Sequence, residues 1–318
     1  MRRIVGLALV LLGGFALCFA VLSRTLLSDQ LLVTPLDQYS ELVSVGPGTY
    51  LDTSTLSEAS SDLVAKRIVK GDVKGSPDNE DVNVWDVSVV LETGDGTFVR
   101  AYVDRVAADR RTGESVACCN ENVDGTPVRH TGVSYKFPIG VEKQEYLLWD
   151  PNSRKSFPAG FVAEDEVRGL KVYKFIQRIP GQELRRQQVP GSLVGASAPT
   201  VDAQVWYQNT RTIWVEPVTG IIIKGNEQNR TTLRDAAGTD KLSVISFDLT
   251  FDDATQASQV DIAEKNVTKV RLLSQWLPLG GLVLGLLLLA AGLLILRADR
   301  PSTSRHQAER DPAPQKVS

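Results

Sequence analysis

Two uncharged apolar runs, one near each end, constrain this chain more than any other feature. Residues 4–22 (IVGLALVLLGGFALCFAVL) follow Arg2 and Arg3, and residues 276–296 (WLPLGGLVLGLLLLAAGLLIL) precede Arg297, Arg300 and Arg305. Each is long enough as a helix to cross a hydrocarbon core about 30 Å thick. Arginine flanks the outer end of both runs. The positive-inside rule therefore places both termini in the cytoplasm and residues 23–275 beyond the cell (inner) membrane, in a two-pass chain. A cleaved signal sequence is the rival for the first run, but that run exceeds the 7–15 residues of a signal core and no A-x-A site follows it.

The predicted organisation is a cytoplasmic stub (1–3), a transmembrane helix (4–22), an extracytoplasmic domain (23–275), a second span (276–296) and a disordered polar tail (297–318). Gly6, Gly13 and Gly14 in the first span, and glycines 280, 281, 285 and 292 in the second, offer small-residue faces. Such faces pack helices together within one chain or between copies in a homo-oligomer.

Charge narrows the function classes. Of 35 basic and 38 acidic residues, 28 and 35 fall in the extracytoplasmic segment, a balance of −7 that excludes nucleic acid as a partner. His130 is the sole imidazole between the spans, which removes most metal and triad chemistries. No GxSxG or zinc-ligand spacing occurs. Asp78, Glu80 and Asp81 lack the spacing of an EF-hand loop and read as solvated loop charges. The expectation is a chain that is not an enzyme and takes neither cofactor nor metal.

Between the spans the patterning is β-like. VNVWDVSVVLET (82–93), Gly94-Asp95-Gly96 and the run from 97 to 110 read as a hairpin. A first strand is expected near 42–51 and another at 171–179, with Tyr173 and Phe175 on its inward face. Residues 203–227 read as three short strands split at Asn209 and at Pro217–Gly220, and residues 241–252 as one more. From Ala254 the period becomes helical, with Val260, Ala263, Val267, Val270 and Leu273 on one stripe running toward Pro278. The predicted fold is mainly β (α+β): a β-rich ectodomain, sandwich or distorted barrel, with a juxtamembrane helix, between N- and C-terminal transmembrane helices.

Two sets of residues are candidates for function. Cys118 and Cys119 are neighbours, and their Cα atoms are 3.8 Å apart across a trans peptide, below the usual disulfide range. A vicinal disulfide forming a rigid turn, two reduced thiols and a bond to another chain are the three readings. Tyr135, Phe137, Tyr146, Trp149, Phe157, Phe161, Tyr173 and Phe175 crowd into about forty residues. They line a pocket for an acyl chain in one reading and fill a β core in the other.

The stretches YKFPIGVEKQEYLLWD (135–150), VRGLKVYKFIQ (167–177) and TIWVEPVTGIIIKG (212–225), with the cysteine pair and a span at each end, resemble the actinobacterial porin PorA family of membrane proteins. The likeness covers nearly the whole chain and implies, by the family's name, a pore former. The two-span plan with one large ectodomain is also similar to that of the class B scavenger receptors, whose ectodomains bind and pass lipids. The expected function is a membrane-anchored ectodomain that binds or conveys a hydrophobic cell-envelope component such as membrane lipid. The alternatives are a scaffold for envelope protein partners and a porin-like pore.

Overall fold

The computed structural model describes residues 1–23, 33–76 and 81–298. They fall into two compact units, one holding the terminal helices and the other spanning Asp29–Arg271. The tail beyond residue 298 and the pair Asp78 and Glu80 lie outside the described residues.

In the first unit, α1 (Arg2–Leu22) packs on the C-terminal α3 (Leu277–Ala298). Glycine makes the contact close. A Cβ on Gly13 would lie 2.8 Å from the Gly285 carbonyl oxygen, and one on Gly292 would lie 2.8 Å from that of Gly6. Gly281 sits over Ala16 and Ala20. The expected helix pairing is thus present within one chain.

The second unit is one twelve-stranded antiparallel sheet. It runs β1 (Tyr39–Asp52), β2 (Ser57–Gly71), β3 (Val82–Thr93), β4 (Phe98–Asp109), β5 (Asn122–Val123), β6 (Thr126–Pro127), β7 (Tyr146–Asp150), β8 (Lys155–Val167), β9 (Leu170–Pro190), β10 (Thr200–Val215), β11 (Ile222–Arg234) and β12 (Asp240–Phe251). The order across the sheet is β6-β5-β4-β3-β2-β1-β12-β11-β10-β9-β8-β7, two meanders joined where β1 pairs with β12. Turn chemistry explains the meander. Arg168 and Gly169, both at positive φ, make the two-residue turn between β8 and β9. Glu216 accepts from the backbone N–H groups of Val218 and Thr219 in the turn before β11.

The sheet curls until its edges meet. Ser115 bridges to Ala108 at the β4 edge, Val133 bridges to Glu114, and Val133 pairs in parallel with Leu148 of β7. Residues 114–133 thereby close the sheet into a ring, which is the distorted-barrel option of the sequence reading. Inward side chains fill much of it. Leu63, Leu91, Ile245 and Leu249 form one cluster, and Val189, Val205 and Leu233 another. The remaining inner hollow, bordered by Leu42, Arg67, Tyr102, Glu227 and Phe251, is about 70 Å³. At about 30 Å³ per water that is room for two or so.

One expectation is corrected, two strands are added, and the inward packing of Phe175 is met. Residues 203–227 give two strands, because β10 runs through Asn209 with bulges on either side instead of breaking there. β2 and β8 are strands without a recognised apolar alternation in SEASSDLVAKRIVKG and KSFPAGFVAEDEV. On β9 both faces are covered: Phe175, Gln177 and Ile179 are buried on one, while Val172 on the other is packed with Trp214, Ile223 and Ala263. Ala263 belongs to α2 (Asp253–Arg271), whose first turn is capped by Asp252 accepting from the Thr255 N–H at 2.7 Å. A π-helical turn, Leu272–Trp276, follows α2 in the chain, and Pro278 stands in the first turn of α3.

Candidate functional site

Three places in the second unit gather chemistry: two buried charge networks and an outer groove. The first network centres on Arg211 of β10. Its guanidinium meets the Asp150 carboxylate at 2.7 Å and that of Glu227 at 3.2 Å, and donates to the Trp149 carbonyl. Tyr207 donates to Asp150 at 2.8 Å, and Asn209 to Glu227 at 2.6 Å. Burial opposes the charge on Arg211, yet Glu227 and Asp150 outweigh it and hold the group firmly protonated. Burial likewise opposes ionisation of Glu227, and Arg211 and Arg67 outweigh it, so its pKa lies below the usual range.

The second network holds His130. Its Nε2 is 2.8 Å from Asp104 and its Nδ1 2.7 Å from Glu121, with the ring fully buried and tilted against Trp149 at 4.4 Å between centroids. Tyr135 donates to the other oxygen of Asp104 at 2.5 Å. Burial alone would lower the imidazole pKa, but Asp104 and then Glu121 reverse the sign and raise it. With a carboxylate on each nitrogen, the protonated ring has an acceptor for both of its N–H groups. Both ring nitrogens are engaged, and neither network presents a serine or cysteine nucleophile to that ring.

The cysteine pair stands two residues from this network. Cys118 and Cys119 are joined as a vicinal disulfide. Cys119 and Asn120 take positive φ, and the Cys119 carbonyl accepts from Arg105 at 3.1 Å. Arg105 is itself held by Asp72 and Asp86 at 2.7 Å each. The disulfide packs against Val82, Val84 and Ala107, and the turn it makes delivers Glu121 to His130.

The eight aromatics are brought largely together. Phe137, Tyr146 and Phe175 are buried with centroids 5.0–5.8 Å apart, and Phe161 and Tyr173 pack against them. Trp149 and Tyr135 belong to the histidine network instead. Phe157 pairs with Leu148, and its carbonyl accepts from Gln177. None of the eight borders the inner hollow or the outer groove.

The groove, about 1280 Å³, crosses β9, β10, β11, β12, β1 and β2 on the outer face. Pro47 between Gly46 and Gly48, Pro180-Gly181 and the β10 bulges mark its course. Sequence reading passed over it, because its residues are scattered over six strands. The buried charges were legible in principle: Arg211 shares strand parity with Tyr207, Ile213 and Val215, and Asp104 with Tyr102 and Val106. A charge on an otherwise apolar face signals a buried pair.

With this geometry in place, comparison adds kinship. A family model described as Porin PorA matches residues 5–294. The chain belongs to the porin PorA family. It is 26% identical to a Porin PorA of Corynebacterium amycolatum over 301 residues, covering 72% of this chain and 77% of that protein. It is 25% identical to a Porin PorA of Corynebacterium resistens over an alignment of 413, covering 96% and 99%. Porin PorA membership and two helices apolar enough to span make this a membrane protein. Among the described residues of this Porin PorA member, no group of three or more His, Cys, Asp or Glu has metal-holding geometry.

Proposed function

We propose that the chain is a non-enzymatic, membrane-anchored binding protein whose ring binds or conveys a cell-envelope component in its outer groove. The observation that carries this reading is where charge stands on the ring. A strand barrel that crosses a bilayer keeps an apolar outer face. Here Lys66, Arg178, Glu183, Arg186, Arg230 and Asp248 stand exposed on the outside, and large apolar side chains fill the inside. The ring suits water, and the helix pair suits lipid.

The size of the two hollows shapes the choice of ligand. The aromatics that suggested an acyl-chain pocket are packed on one another, and the inner hollow holds about two waters. The groove is far larger, and its lining mixes four charges, amides and hydroxyls with apolar surface. An envelope protein seated in it is the scaffold form of the same reading.

The family name favours a second reading, a pore. With the ring filled, a conducting path would be built by several copies through their helices, where Gly14 and Gly280 leave open space beside the chain's own helix pair. Planar bilayers loaded with the purified full-length chain separate the readings. The binding-protein reading expects no unit conductance at high loading; stepwise channels that scale with protein would overturn it.

A further inference from the structure

The two edges of the sheet meet along a thin seam, and the vicinal disulfide sits on it. β3 and β4 pair from Val82–Asp109 to Glu92–Phe98, but β4 and β5 pair only at Asp104–Val123 and Arg105–Asn122. Beyond β5 and β6, single bridges carry the closure, from Ala108 to Ser115, Glu114 to Val133 and Val133 to Leu148. Side chains supply the rest. Asp104 of β4 holds His130 Nε2 at 2.8 Å with one oxygen and accepts from the Tyr135 hydroxyl with the other. His130 and Tyr135 flank Val133, so the clamp ties β4 to the segment that reaches β7. From the other side one oxygen of Glu121 meets both the His130 backbone N–H, at 3.0 Å, and Nδ1, at 2.7 Å. Trp149 lies against the imidazole and Arg67 of β2 over the Tyr135 ring.

Glu121 owes its place to the cysteine turn. Cys119 and Asn120 hold φ of +66° and +60°, a region that residues with a Cβ seldom enter. The covalent ring through the two sulfurs stops the Cys118–Cys119 backbone from rotating freely, and the Cys118 carbonyl accepts from the Glu121 N–H at 3.4 Å. Arg105, anchored by Asp72 and Asp86, donates to the Cys119 carbonyl. Both cysteines are only half-buried, whereas His130 and Asp104 are fully buried. A thiolate from outside therefore reaches the sulfurs without first opening the ring.

We propose that the Cys118–Cys119 disulfide is a redox latch on this seam: its reduction releases Glu121 from His130 and loosens the closure between β4 and β7 while the other strands stay paired. The device holds whichever component the ring carries. A dithiol supplies the two electrons and two protons. One of its thiolates attacks a sulfur of the pair and breaks the S–S bond, and its second sulfur then resolves the mixed disulfide. The dithiol leaves as a disulfide, and Cys118 and Cys119 remain as two thiols. Freed of the covalent ring, Cys119 and Asn120 return to right-handed backbone and draw Glu121 away, leaving the imidazole with Asp104 as its one carboxylate.

The test uses the full-length chain in nanodiscs, oxidised and after dithiothreitol, with reduction scored as two newly alkylated thiols by mass. Hydrogen exchange in peptides covering 114–135 should quicken about tenfold or more, stay unchanged in β10 and β11, and slow again on reoxidation. In a His306→Gln background the His130 ring should titrate at lower pH once the pair is reduced. Glu121→Ala, which keeps the disulfide, should produce both changes in the oxidised chain and leave nothing for reduction to add. A pair that resists dithiothreitol until the whole ring unfolds, reduction without faster exchange at 114–135, or exchange that quickens equally in β10 and β11 overturns the latch. A Glu121→Ala chain that still responds fully to reduction overturns the coupling through Glu121.

Discussion

At the scale of single residues, the ring is organised by charges that cannot leave it. Arg211 is held between Asp150 and Glu227 in the interior, so its removal would strand two carboxylates. Breaking such a buried pair costs about 3–5 kcal/mol. Arg211→Met should therefore lower the denaturation midpoint strongly, and adding Asp150→Asn and Glu227→Gln should recover much of the loss. A triple variant no more stable than Arg211→Met would show that the charges do not act as one network. His130 has the opposite pH signature to a paired carboxylate. Its pKa is raised above 6.5 in the fold. The stability it contributes is complete below the unfolded value of 6.5 and is lost as pH rises through the folded value. In a His306→Gln background His130 is the only histidine. Its ring resonances should stay those of the imidazolium past pH 6.5, and stability should decline above that point. Titration at or below 6.5 would refute the two-carboxylate clamp.

Among elements, the strands and spans were legible where periodicity or turn chemistry was strong. The β3–β4 hairpin follows from alternating β-branched residues around Gly94-Asp95-Gly96, and α3 from its uninterrupted apolar run. β2 was illegible because charges and serines interrupt the apolar alternation of Ser57–Gly71; neighbouring strands hold it by register pairing on both sides. Asn209 looked like a breaker and is a buried hydrogen-bonding residue, a distinction only the partners Glu227 and Tyr207 reveal. The aromatic cluster was visible in sequence, while the groove was not, since nothing in a linear string marks residues that meet across six strands. The helix pair yields a sharp expectation. A Cβ at Gly13 would meet the Gly285 carbonyl and Leu289, whereas one at Gly14 meets nothing within 4 Å. Gly13→Ile should separate α1 from α3, read as loss of a spin–spin distance between labels on the two helices in nanodiscs, and Gly14→Ile should leave it unchanged. Equal effects would mean that the helices do not pack through this face.

For the molecule as a whole, membership of the porin PorA family gives a name that suggests strands in a membrane, and the arrangement of charge suggests the reverse. The ring carries charged residues outward on β2, β9, β11 and β12, and a lipid-facing barrel would expose each to hydrocarbon at a cost of about 2–4 kcal/mol per Arg or Lys near the midplane. Leu284, Leu287 and Leu294 of α3, by contrast, are large, apolar and exposed. Membrane-spanning helices and a water-filled surround for the ring satisfy both sets of residues. Spin labels placed one at a time at Glu183, Arg186, Lys66 and Asp248, and at Leu287 as the lipid reference, test this most directly in reconstituted full-length protein. The account predicts that a water-soluble relaxing agent reaches all four ring positions while dissolved oxygen dominates at Leu287; oxygen-dominated relaxation at the ring positions would place the strands in the bilayer and contradict it.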